Sequence, residues 1–169
     1  MFEHQGNVVT KSLDKLHRFL GIDLNQQTWA LLNKKDRDTM NDSRMIAFSK
    51  ASLYHWKLAP EFEPVNEQRG EWLISHVYAV LGKGENALIY AKKCWEITER
   101  ENLKDFDFAY ALEALARAYA ALENSDKMNE YFLKAKSAGE NIEKKEDLDY
   151  FLADFHAEPW FECTKPIDD

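Results

Sequence analysis

Between Arg69 and Ala138 one pattern of residues occurs twice, and it constrains the fold more than any other feature of the chain. The first copy is Ser75, Tyr78, Leu81, Gly82, Ala87, Ala91 and Cys94; the second is Ala116, Tyr119, Leu122, Glu123, Met128, Phe132 and Ala135. Each residue of the second copy follows its counterpart by 41 positions. A period of that length predicts a stack of helical hairpins, because one hairpin cannot bury its own apolar face and needs a neighbour.

The rest of the chain agrees with helices. Only four prolines and six glycines interrupt 169 residues, and Ala, Leu, Glu and Lys are abundant. Val9, Leu13, Leu16 and Leu20 form one face of a helix over 7–20, which Gly21 is expected to end. A second helix is expected over 26–35, with Trp29 and Leu32 inward, then a charged loop over 34–42. Asp42 or Ser43 would cap a third helix reaching Lys57. Pro60 and Pro64 mark 58–65 as an extended loop. The repeats supply helices over 67–81, 85–101, 105–122 and 125–141, the last two capped by Asp105 and by Ser125 or Asp126. A final helix over 146–157 is stopped by Pro159. Carrying the 41-residue register onward sets Asp154 opposite Glu113 and Trp160 opposite Tyr119, so the final helix reads as a half unit closing the stack. The expected fold is all-α, with about eight helices in stacked antiparallel hairpins. It forms a single domain over 1–169: atypical N-terminal helices (1–58), a proline loop (59–65), two repeat units (66–141) and a capping helix (146–161).

Composition narrows the function classes. A net charge of −8 repels phosphate backbones, so nucleic acid is not an expected partner. No apolar run approaches the roughly 18 residues of a membrane span. Residues 1–10 lack a basic and then apolar segment, so no secretory signal is expected. Cys94 and Cys163 form neither a disulfide framework nor a metal knuckle, and Cys94 falls at a small core position. A cytoplasmic location follows as the expectation.

The doubled pattern resembles the tetratricopeptide repeat: a small residue, Tyr three places on, Leu-Gly, then Ala, an aromatic and Ala. The first unit carries Ser75, Tyr78, Leu81, Gly82, Ala87 and Cys94, with Ala91 where an aromatic is usual. The second carries Ala116, Tyr119, Leu122, Phe132 and Ala135, with Glu123 for Gly and Met128 for Ala. The family's unit is about 34 residues; the seven extra residues here lie between Cys94 and Ala116. The resemblance implies a concave groove, lined by the first helix of each unit, that holds a peptide or an extended protein segment. By register the stripe facing it is Arg69, Trp72, His76 and Ala79 in one unit and Tyr110, Glu113, Arg117 and Ala120 in the next. Trp72 and Tyr110 would anchor apolar groups, Arg69 and Arg117 would hold carboxylates or carbonyls, and His76 and Glu113 would add polar selectivity.

The leading reading is therefore a non-enzymatic protein- or peptide-binding module that needs no cofactor. Two alternatives stand beside it. The groove could be closed by the terminal helices around a polar site for a metal or small molecule, with His55, Glu71, His76 and Glu113, and Asp154 in addition, as candidate ligands. No HExxH or ExxH spacing supports that site, and Ser75 beside His76 is not a nucleophile–base pair, since adjacent helical residues point apart. The other alternative is a structural subunit that forms a homodimer through an exposed helix face. His4, His17 and His156 are assigned no role, and the charged run from Glu143 to Asp149 reads as a solvated turn.

Overall fold

A computed structural model of the protein describes the backbone of residues 2–161, with side chains from Ser12 onward. The described residues form seven α-helices and no strand: α1 (Phe2–Leu32), α2 (Thr39–Leu58), α3 (Pro64–Val80), α4 (Gly84–Arg100), α5 (Asp105–Ala121), α6 (Ser125–Gly139) and α7 (Lys145–His156). The count is seven rather than eight because the first two expected helices are one. Gly21 does not end a helix. It sits inside α1, where a Cβ would come within 3.0 Å of the Trp56 ring, and its carbonyl accepts a 2.7 Å hydrogen bond from the Ser52 hydroxyl. The glycine serves a close helix–helix approach, not a C-cap.

The chain divides into two compact units, the first ending at Gly70 and the second beginning at Glu71, so the division falls inside α3. The first unit is the α1–α2 hairpin with the opening turns of α3. Asp38 caps α2 by accepting from the Asn41 amide at 2.7 Å, four residues ahead of the expected cap. Pro64 opens α3 rather than lying in the loop, as suits a residue with no amide hydrogen to satisfy and a preset φ. Met45 and Leu53 are buried.

The second unit is built around α5. From Ala109 to Ala118 every residue of this helix is buried, and α4, α6 and α7 all pack against it. A helix buried all round needs small residues where neighbours cross, and six alanines (109, 111, 114, 116, 118 and 120) supply them. At Gly84 a Cβ would stand 2.6 Å from the Ala121 carbonyl oxygen, which shows how closely α4 begins against the end of α5.

The 41-residue correspondence has structural counterparts. Gly82 (φ 67°) and Glu123 (φ 56°) occupy the same left-handed position after α3 and α5. The Gly82 and Lys83 amides donate to Ala79 and Tyr78. The Glu123 and Asn124 amides donate to Ala120 and Tyr119 in the same way. Both ends are thus closed by the same paired bonds. Tyr78 stacks on Tyr90 at 5.6 Å, and Tyr119 on Tyr131 at 5.6 Å. Lys93 covers the Tyr90 ring as Lys134 covers that of Tyr131. The cap of α6 is the Asn124 side chain, which accepts from the Lys127 amide at 3.1 Å, not Ser125 or Asp126.

Candidate functional site

Five of the six stripe residues given a recognition role meet in the second unit. Trp72 and His76 lie one turn apart on α3, and their rings stack at 5.0 Å. Tyr110, Glu113 and Arg117 lie along one face of α5, where spacings of three and four keep side chains together. The Trp72 indole donates 2.9 Å to Glu113 Oε2 and meets the Tyr110 ring edge-on at 4.9 Å. The other Glu113 oxygen accepts from Arg117 Nε at 2.5 Å, with both side chains essentially without solvent contact. Arg69, the sixth, belongs to the first unit and is exposed.

The far side of this stripe is covered by the chain's own C-terminal segment. Tyr110 donates 2.7 Å to the Asp154 carboxylate on α7. The Arg117 guanidinium donates to three backbone carbonyls beyond it: Asp154 at 2.9 Å, Ala157 at 3.1 Å and Pro159 at 3.3 Å. Its plane also lies over the Trp160 ring, with Cζ 4.3 Å from the centroid. Trp160 is 1% exposed and fits against Phe132 and Phe155, with Phe132 edge-on at 5.1 Å. Trp72, Glu113 and Asp154 are successive members of one 41-residue register; Trp72 bonds Glu113 directly, whereas Asp154 is reached from α5 by Tyr110 and Arg117.

Electrostatics follow from burial. Loss of solvent, and then the neighbouring Arg117 charge, lower the His76 imidazole to about 4, although Glu113 acts the other way, so the ring is neutral at physiological pH. Burial raises the Tyr110 hydroxyl, and Asp154 raises it further, making it a hydrogen-bond donor and not a base. Burial also raises Asp154 above the usual carboxylate range, although the Tyr110 hydrogen bond opposes this. Cys94 is a buried thiol pushed well up by desolvation, which keeps it from forming a nucleophilic thiolate.

Ser75 donates 2.9 Å to the Ala87 carbonyl and acts as a strut between α3 and α4. His55 lies in the first unit, where its Nδ1 is 2.8 Å from that of His17. Among the described residues no three His, Cys, Asp or Glu side chains gather as metal ligands. Glu113, the carboxylate proposed for that role, is already held by Trp72 and Arg117. No described helix is long and apolar enough to cross a membrane. On the opposite face of α5 a cleft of about 770 Å³ is lined by Trp95, Phe108, Leu112, Tyr131 and Lys134 among others.

The sequence places a closing half unit at 146–157 and offers closure of the groove by the terminal helices as an alternative, but assigns no role to the residues between α7 and Trp160. The use of backbone carbonyls by Arg117 leaves no trace in side-chain pattern. Compared with family models, curated proteins and solved structures, the chain matches none.

Proposed function

We propose that the chain is a non-enzymatic protein-binding module, similar in build to tetratricopeptide-repeat proteins, whose inner stripe seats an extended segment. In the free protein that seat is taken by residues 154–160 of the same chain, the last turn of α7 and the residues that follow it. A partner segment binds by replacing them. The observation that carries this reading is the use made of Arg117: three backbone carbonyls and one aromatic ring. Contacts to main-chain oxygens recognise an extended or turning chain whatever its side chains, and the aromatic ring adds selectivity. A competing segment therefore needs a Trp or similar ring directly after a run of accessible carbonyls. The matching turns after α3 and α5, with their matching tyrosine stacks, support the repeat-like arrangement.

A tethered segment competes at an effective concentration on the order of millimolar, so an external peptide binds the intact chain weakly. Trp160→Leu weakens the internal occupant while leaving the receptor face intact. Anisotropy of a labelled peptide spanning residues 152–161 tests this. Saturable binding to Trp160→Leu at least tenfold tighter than to the wild type, lost when Arg117→Leu is added, is the expected result. Equal and weak binding to all three chains, each shown helical by circular dichroism, contradicts it.

A further inference from the structure

Two positions past each of α3, α4 and α5 the chain turns left-handed, at Gly82 (φ 67°), Asn102 (φ 52°) and Glu123 (φ 56°). The equivalent place after α6 is Asn141, which is not left-handed, and Glu140 ahead of it keeps a helical backbone at φ −60° and ψ −18°. The helix tapers instead of stopping: the Glu140 amide donates to Lys136 at 3.0 Å, Asn141 to Ala138 at 3.2 Å and Ile142 to Gly139 at 3.0 Å. We propose that residues 140–144 are a hinge, and that the segment replacing 154–160 on Arg117 is the same segment of a second copy of this chain, so that two chains exchange α7 reciprocally. The inference rests on the reading of 154–160 as a displaceable occupant and names the partner that displaces it.

A second copy fits the seat because it carries the very groups that fill it. Its Asp154 carboxylate would meet Tyr110, its carbonyls at 154, 157 and 159 would meet the Arg117 guanidinium, and its Trp160 ring would lie against that plane. Within one chain these hydrogen bonds measure 2.7 to 3.3 Å, and the ring centroid is 4.3 Å from Cζ. None of them involves a residue of 140–144, so each is the same within one chain or between two, as exchange of an identical element requires. The tethered segment acts at an effective concentration on the order of millimolar, so exchange competes at chain concentrations of that order.

The connection accommodates both forms. Glu140, Asn141, Ile142, Glu143 and Lys144 include no glycine or proline, and each continues a helix at modest cost. Straightened, α6 and α7 become one helix from Ser125 to His156, about 48 Å long. Two anchors keep the single chain bent: Ile142 is buried, and the Glu143 amide donates 3.2 Å to Asp105 Oδ1. Straightening gives these up and gains regular helical bonds in their place. Lys144 separates the two forms. It is extended at φ −85° and ψ 123°, and its amide donates no hydrogen bond among the described residues, so a proline suits it in the bent form. In a straight helix the same proline would clash with the Glu140 carbonyl.

The test holds the full chain at about 1 mM just below its melting temperature, cools it, and reads the mass by size-exclusion chromatography with light scattering. The wild type is expected to give a dimer that outlasts dilution. Lys144→Pro should give at least tenfold less of it while keeping its helicity by circular dichroism. Mixing Arg117→Lys with Trp160→Leu identifies what is exchanged, since an intact receptor and an intact segment then meet only across chains. The ratio of heterodimer to homodimers should exceed random pairing at least tenfold. No wild-type dimer, a dimer indifferent to Lys144→Pro, or random pairing in the mixture overturns the proposal. The labelled peptide 152–161 keeps this apart from the reading beneath it. Peptide bound by Trp160→Leu without any wild-type dimer overturns the exchange and leaves the seat standing; absence of both overturns the two together.

Discussion

The Arg117 guanidinium lies 4.3 Å from the centre of the Trp160 ring, while its Nε holds the buried Glu113 carboxylate. One side chain on α5 thus joins the ion pair of the interior to the aromatic ring just past α7. Each of its partners is desolvated: Trp160 and Arg117 are 1% exposed and Glu113 is 0% exposed. In such surroundings a charge left alone is far more costly than a charge pair replaced as a whole.

Arg117→Leu is accordingly expected to cost about 3–5 kcal/mol, since it leaves Glu113 charged or forces it to take up a proton. Glu113→Gln costs less, because the amide still accepts from the Trp72 indole. The double change Arg117→Leu with Glu113→Gln removes both charges together and should cost less than the sum of the two single changes. Urea unfolding of the two single variants and the pair measures the coupling. Additive costs would mean that the pair is not energetically linked.

His76 gives the second unit a defined response to acid. Its folded value of about 4 lies below the ordinary 6.5, so the unfolded chain binds the proton first as pH falls. Stability is therefore complete above about pH 6.5 and is lost progressively down to about pH 4, by about 3 kcal/mol for this one group. His76→Gln should flatten that part of the profile. Urea midpoints at pH 7 and pH 5, for wild type and variant, read the difference. A variant that keeps the wild-type slope would assign the acid sensitivity elsewhere.

The two equivalent turns differ at their left-handed residue, and the difference should be measurable. Gly82 takes its left-handed conformation without steric cost, but Glu123 holds φ 56° with a side chain attached. Glu123→Gly is expected to stabilise the protein by about 1 kcal/mol, and Gly82→Ala to destabilise it by a similar amount. Thermal melts of both variants test the pair of signs together.

Much of this arrangement was legible from periodicity. The register brought Trp72, Glu113 and Asp154 into correspondence, and the structure links that face of α3, α5 and α7 by hydrogen bonds. Local rules of helix termination were less informative. Gly21 reads as an end signal, yet it is a contact point for Trp56, because only the partner helix decides which of glycine's two uses applies. Pro64 reads as a loop residue but suits a first helical turn equally well. The contact between His17 and His55 spans 38 residues and follows from helix pairing, which no spacing within one helix can express. The burial of the stripe was legible only as an alternative, closure by the terminal helices, because side-chain pattern marks a face and not what covers it.

The most direct measurement severs the covering segment without removing it. Residues 140–144 connect α6 to α7, and all but Ile142 are exposed there. A site-specific protease sequence placed in this connection allows the chain to be cut after folding. A seat for extended segments predicts that the fragment carrying α7 and Trp160 stays bound after cutting. It should exchange with a labelled copy of itself, and that exchange should be at least tenfold weaker when the receptor carries Arg117→Lys. Collapse of the receptor helices on cutting, or retention of the fragment with no dependence on Arg117, would contradict the account.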